Sequence, residues 1–93
     1  MDYRLTPANG RVAHVSLRGQ VTAARFVDGE WARIVVPLAD LLVHPDGPRD
    51  RQVLRGDRVL VLEWLDRHAF IQAEKDGFCG YVGRTALGPD VTP

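Results

Sequence analysis

The feature that most constrains this chain is the rhythm of residues 39–87, which read ADLLVHPDGPRDRQVLRGDRVLVLEWLDRHAFIQAEKDGFCGYVGRTAL. The apolar pair Leu41-Leu42 runs into a Pro/Gly/Asp loop over residues 44–51, and residues 52–54 return as a short strand. Arg55-Gly56-Asp57 makes a tight turn before a long β-prone run over residues 58–65. Asp66-Arg67-His68 turns the chain back into a strand over residues 69–74. Lys75-Asp76-Gly77 then leads to Phe78-Cys79-Gly80-Tyr81-Val82, and residues 83–87 close the stretch. Strands of four to eight residues separated by Gly/Asp/Pro turns predict a small all-β barrel.

A chain of 93 residues is one domain, of a size that buries roughly 60–65% of its unfolded surface. Twelve basic and twelve acidic residues cancel, so no net field draws it to nucleic acid or to an anionic membrane. A single cysteine makes an internal disulfide impossible, which removes the usual support of a small secreted domain. Residues 1–20 hold no apolar run of signal-peptide length, and no stretch nears the ~20 apolar residues of a membrane span. These features lead to the expectation of a cytoplasmic protein with neither nucleic-acid nor membrane partner.

Residues 1–20 form an N-terminal extension without a clean period: Thr6-Pro7 suits a helix start, but Asn9-Gly10 interrupts it at once. Two β-prone runs, QVTAARFV and WARIVV, flank Asp28-Gly29 and predict a β-hairpin. Residues 20–88 are assigned to the barrel domain. Residues 89–93, with two prolines and little apolar surface, read as a linker to a further domain.

Along residues 58–65 both alternating faces are apolar: Val59, Val61 and Leu65 on one, Leu60, Leu62 and Trp64 on the other. A strand of a solvated small barrel has a polar outer face. Burying each of Leu60, Leu62 and Trp64 is worth roughly 1.5–3 kcal/mol, so something must cover them. Either the N-terminal hairpin, through Phe26 and Trp31, does so, or they form a surface that docks another domain.

Cys79 and His68 are the natural pair to test for thiol chemistry, which needs a lowered thiol pKa, a base in reach and an orienting group. Cys79 lies inside a predicted strand and His68 in a turn, which favours a structural thiol and a surface histidine. His14, His44 and His68 lack metal-ligand spacing, and the aspartates are explained by turns and caps. No phosphate-binding Gly loop is present. The expectation is a chain without catalytic residues, metal or cofactor.

The order of Leu41-Leu42, Pro45, Gly56-Asp57, Gly80-Tyr81-Val82 and Leu87 resembles the bacterial SH3-type domain. The segments Asp2 through Ala13, Gly19-Gln20-Val21, Arg25 through Gly29, Val36 through Leu41 and Asp76 through Val82 extend the likeness. Together they are similar to the N-terminal region of NlpC-type cysteine peptidases, of the γ-D-glutamyl-diamino-acid (dipeptidyl-peptidase VI) kind. That resemblance implies one or two SH3-type domains ahead of a papain-like catalytic domain in the same chain. It also implies cleavage of murein peptides bearing a free N-terminal L-alanine. The catalytic residues belong to the later domain, so this chain is expected to position or gate substrate and not to hydrolyse it.

The resemblance places an aromatic residue just after the Asp-Gly turn at the peptide's amino terminus. That position is commonly Tyr and here is Phe78, which lacks a hydroxyl and offers an ammonium only a cation–π contact of roughly 0.5–2 kcal/mol. The residue before the returning strand, often Trp, is His68. Tyr81 retains a phenol, yet three residues from Phe78 it faces the opposite side of a regular strand unless Gly80 introduces a bulge. Phe78 and Tyr81 are the substrate-binding candidates, and Leu60, Leu62 and Trp64 the interdomain ones. The alternative reading is a free-standing peptide-binding or cell-wall-binding SH3-like module, with an aromatic groove for a peptide such as a Pro-rich one.

Overall fold

A computed structural model describes residues 3–91. Nine short strands follow in order: β1 (Val12–His14), β2 (Arg25–Val27), β3 (Glu30–Ile34), β4 (Leu38–Leu42), β5 (Arg49–Leu54), β6 (Arg58–Trp64), β7 (His68–Ala73), β8 (Cys79–Gly83) and β9 (Leu87–Pro89). Single 3₁₀ turns occupy Tyr3–Leu5, Val15–Leu17 and Arg84–Ala86. Among the described residues no helix is long and apolar enough to cross a membrane.

The centre is the antiparallel meander β6-β7-β8, and its turns obey local chemistry. Gly77 adopts φ +77°, a conformation that costs a glycine little, and the Asp76 carboxylate accepts from the Phe78 amide at 3.1 Å. At the β5–β6 turn the Asp57 carboxylate accepts from the Leu54 amide and from Lys75 Nζ, both at 2.8 Å. Around the meander the sheet runs β5-β4-β8-β7-β6-β3-β9. It coils around one core but does not close, so β5 and β9 are free edges and the expected barrel is an open one. Ile34, Leu41, Val53, Val59, Val61, Ile71 and Val82 fill its concave side, each at most 2% exposed.

The expected hairpin around Asp28-Gly29 does not form. β2 pairs in parallel with β1, whereas β3 pairs with β6 and β9. Between β2 and β3 the chain crosses from the small sheet to the large one. Gly29, at φ +85°, allows the crossing, because a Cβ there would lie 2.6 Å from Leu60 Cγ.

The second apolar face of the meander is covered. Leu60, Leu62, Phe70, Cys79 and Tyr81 form a second cluster beneath Val12 of β1, with Val27 of β2 packed against it. The cover is therefore the small N-terminal sheet, not Phe26 and Trp31. Within the described part of the extension, Val12 and Ala13 are wholly buried. At the other end Pro89 lies in β9, and Asp90 binds Arg33 and Arg58 at 2.9 and 3.1 Å. Pro89 and Asp90, expected to be linker, are thus held by the sheet and its ion pairs.

One irregularity in β6 decides what faces the second cluster. Val61 pairs with Ile71, but Glu63 pairs with Phe70, so Leu62 is an extra residue in a bulge. Beyond the bulge the alternation inverts. Glu63 joins the face of Phe70, and Leu65 packs on the second cluster instead of beside Val59 and Val61.

Candidate functional site at Tyr81

The bulge brings Glu63 to the N-terminal segment, which meets it with three groups. Arg11 donates from Nε at 3.2 and 3.0 Å and from Nη2 at 2.9 Å, and Asn9 Nδ2 donates at 2.8 Å. The Asn9 side-chain oxygen accepts from the Arg11 and Val12 amides, both at 3.0 Å, so one residue both shapes the turn at Gly10 and binds Glu63. The Glu63 carboxyl is held below the usual range, chiefly by the Arg11 bonds, against the opposing effect of burial and with help from Asn9.

Tyr81 completes the network. Its hydroxyl oxygen accepts from Asn9 Nδ2 at 3.1 Å and Arg11 Nη2 at 3.2 Å. The ring is 7% exposed and packs against Phe70, centroids 5.1 Å apart at 39°. β8 sits close enough to β4 for this because residue 80 is glycine: a Cβ there would lie 2.8 Å from Leu41 Cγ and from the Leu42 carbonyl oxygen. Tyr81, Phe70, Gly80 and Cys79 line one side of a cleft of about 190 Å³, and Ala8, Asn9, Val43 and His44 line the other.

The thiol that lines the cleft is not activated as a nucleophile. Cys79 is buried, its thiol donates weakly to the Gly77 carbonyl at 3.6 Å, and burial, with the Asp76 charge, pushes it up to about 12. His68 pairs with Gly83 and Cys79 with Gln72, four residues apart on β7, or about 13 Å at the strand rise. The two cannot act as a dyad. Among the described residues no group of three His, Cys, Asp or Glu side chains could hold a metal ion.

The other candidates separate. The β7–β8 register is regular through Gly80, so no bulge rotates the strand and Phe78 faces away from Tyr81, against the first core. Arg51 lies over the Phe78 ring at 3.3 Å and occupies a cation–π position there. Leu60 and Leu62 are 8% and 4% exposed beneath the N-terminal sheet, which removes them from any docking surface of the folded domain. Trp64 is 42% exposed, with its indole N–H donated to Glu30 at 3.2 Å. Trp31 pairs with Leu60 and Trp64 with Ala69, yet both line a separate cleft together with Glu30, Ala32, Leu87, Gly88 and Pro89.

Asn9, Arg11 and Glu63 were not among the sequence candidates. The available signal was Glu63 itself, a lone acid within an apolar run, since a charge placed there needs a partner.

Residues 41–87, half of the chain, match the family of bacterial dipeptidyl-peptidase SH3 domains. The chain belongs to that family. Neither a curated protein nor a solved structure matches it significantly. In this SH3 domain the matched stretch runs from β4 to the start of β9 and holds most of the cleft, while Ala8, Asn9 and Arg11 come from outside it.

Proposed function

We propose that this SH3 domain is the non-catalytic accessory module of an NlpC-type cysteine peptidase acting on murein peptides in the cytoplasm. In this reading a papain-like catalytic domain lies in the same parent chain, joined beyond Asp90. The SH3 domain shapes the cleft in which the peptide is held. What supports the reading is that most of the Tyr81 cleft is built within the stretch that matches the bacterial dipeptidyl-peptidase SH3 family, with a thiol too acid-weak to act as a nucleophile. Tyr81 contacts the peptide, Phe78 contributes by holding Arg51 in place, and Trp64 is the contact offered to the neighbouring domain.

The test is a ¹⁵N–¹H NMR titration of this chain with L-Ala-γ-D-Glu-diaminopimelate, followed in parallel by mass spectrometry. The expected result is saturable shifts at Phe70, Cys79, Gly80 and Tyr81 with no hydrolysis. Absence of shifts at the cleft refutes a substrate role, and product formation refutes the non-catalytic assignment.

A further inference from the structure

The family resemblance leads to an expectation that an aromatic side chain reads a free amino terminus, and in this chain two features oppose that. Phe78 has no hydroxyl, and Arg51 occupies a position over its ring at 3.3 Å. At Tyr81 the obstacle is the hydrogen-bond inventory. A phenol oxygen has two lone pairs and one proton. Asn9 Nδ2 and Arg11 Nη2 take the lone pairs, at 3.1 and 3.2 Å. The O–H has no acceptor among the described residues, and Tyr81 lines the cleft. Asn9 is also fully engaged, its oxygen by two amides and its nitrogen by Glu63 and Tyr81.

We propose that the Tyr81 cleft binds a peptide carboxylate through the Tyr81 hydroxyl and rejects an ammonium. The hydroxyl can only donate to a ligand, and an ammonium, which is itself only a donor, finds no lone pair left on it. The charges agree in sign. Arg11 Nη2 stands 3.2 Å from the hydroxyl oxygen, so an entering carboxylate meets a guanidinium beside its donor, whereas an ammonium meets a like charge. Phe70 and Val43 give the carboxylate's alkyl neighbour an apolar wall. This rests on the peptide-binding reading above and specifies which end of the peptide the cleft takes.

Two small probes separate the charges: N-acetyl-L-alanine carries a carboxylate and no ammonium, and L-alaninamide the reverse. In an NMR titration of the intact chain, acetylalanine is expected to shift Ala8, Val43, Phe70 and Tyr81, and alaninamide to leave them in place. Tyr81→Phe keeps the ring and removes the donor. Loss of a hydrogen bond to a charged group should weaken acetylalanine about tenfold or more. Arg11→Met removes a cation and frees a lone pair, so acetylalanine should weaken and alaninamide begin to bind; this variant carries the test if Tyr81→Phe disturbs the fold. Equal or tighter binding of alaninamide by the unmodified chain, no cleft response to either probe, or unchanged acetylalanine affinity in both variants overturns the proposal. Binding of acetylalanine with no binding of the murein peptide supports it while refuting the proposed function.

Discussion

Glu63→Ala tests whether the N-terminal segment is held by the polar network or only by apolar contact. The Glu63 side chain is 10% exposed and Arg11 55%. The Arg11 ion pair is therefore largely solvent-screened and worth about 0.5–1 kcal/mol. The Asn9 bond is part-buried and charge-assisted, worth about 1.5–3 kcal/mol. Glu63→Ala should thus cost about 2–4 kcal/mol, and Arg11→Ala about 1 kcal/mol, because Asn9 still satisfies the carboxylate. The double variant should fall short of the sum by about 0.5–1 kcal/mol, since a shared interaction is counted twice. Urea unfolding followed by tryptophan fluorescence gives all three numbers. The acid limb gives an independent check. The folded Glu63 carboxyl is depressed from its ordinary 4.5, so its contribution is complete above that value and is lost as pH falls through the lower, folded one. In Glu63→Gln that part of the acid destabilisation should vanish. A cost below about 0.5 kcal/mol for Glu63→Ala, the range of inert surface sites, would refute Glu63 as an anchor of the N-terminal segment.

Val61 and Ile71 face each other across β6 and β7 in the first core, at 2% and 0% exposure. Val61→Ala should cost about 1–3 kcal/mol and Ile71→Ala about 2–5 kcal/mol, read as lower urea midpoints; unchanged midpoints would show the strand faces to be inverted. Cys79, pushed up to about 12, should resist Ellman's reagent at pH 8 until the chain is unfolded in urea, and rapid native labelling would contradict its burial. Trp64→Lys should lower stability by no more than about 1 kcal/mol, since the indole is half-exposed and an ammonium can pair with Glu30. A melt collapsed by tens of degrees would show that the indole seals the core.

Most of the meander was legible because local chemistry dictated it. Gly56-Asp57 and Asp76-Gly77 turned where their side chains and φ preferences require, and the strands between them ran the expected lengths. The hairpin around Gly29 was misread for a reason of the same kind. Asp-Gly between β-prone runs specifies a turn locally, but the partner of each strand is a tertiary matter, and β1 and β6 outcompeted the local pairing. The N-terminal segment gave no period because it is not one element. It is a 3₁₀ turn, a three-residue strand and a second 3₁₀ turn, each too short to show one.

The candidate site was hidden by a single residue. Strict alternation puts Glu63 on the side of Val61, the first core, where a carboxylate has no partner and its burial is prohibitive. The extra residue at Leu62 moves it to the opposite side, onto Asn9, Arg11 and the phenol of Tyr81. Alternation counted from Arg58 is correct to Val61 and inverted afterwards, which also explains why Leu65 joins the second cluster and Trp64 reaches Glu30. A bulge is needed because the run is apolar on both faces with one acid inside it. Without the bulge, either Glu63 enters the core or the whole strand slips by one residue and turns Val59 and Val61 outwards. The bulge is therefore the least costly arrangement that keeps Val59 and Val61 inside and gives Glu63 its cation. The same inversion lays Glu63 beside the N-terminal segment, whose Asn9 and Arg11 then occupy both lone pairs of Tyr81 and leave its proton to the cleft.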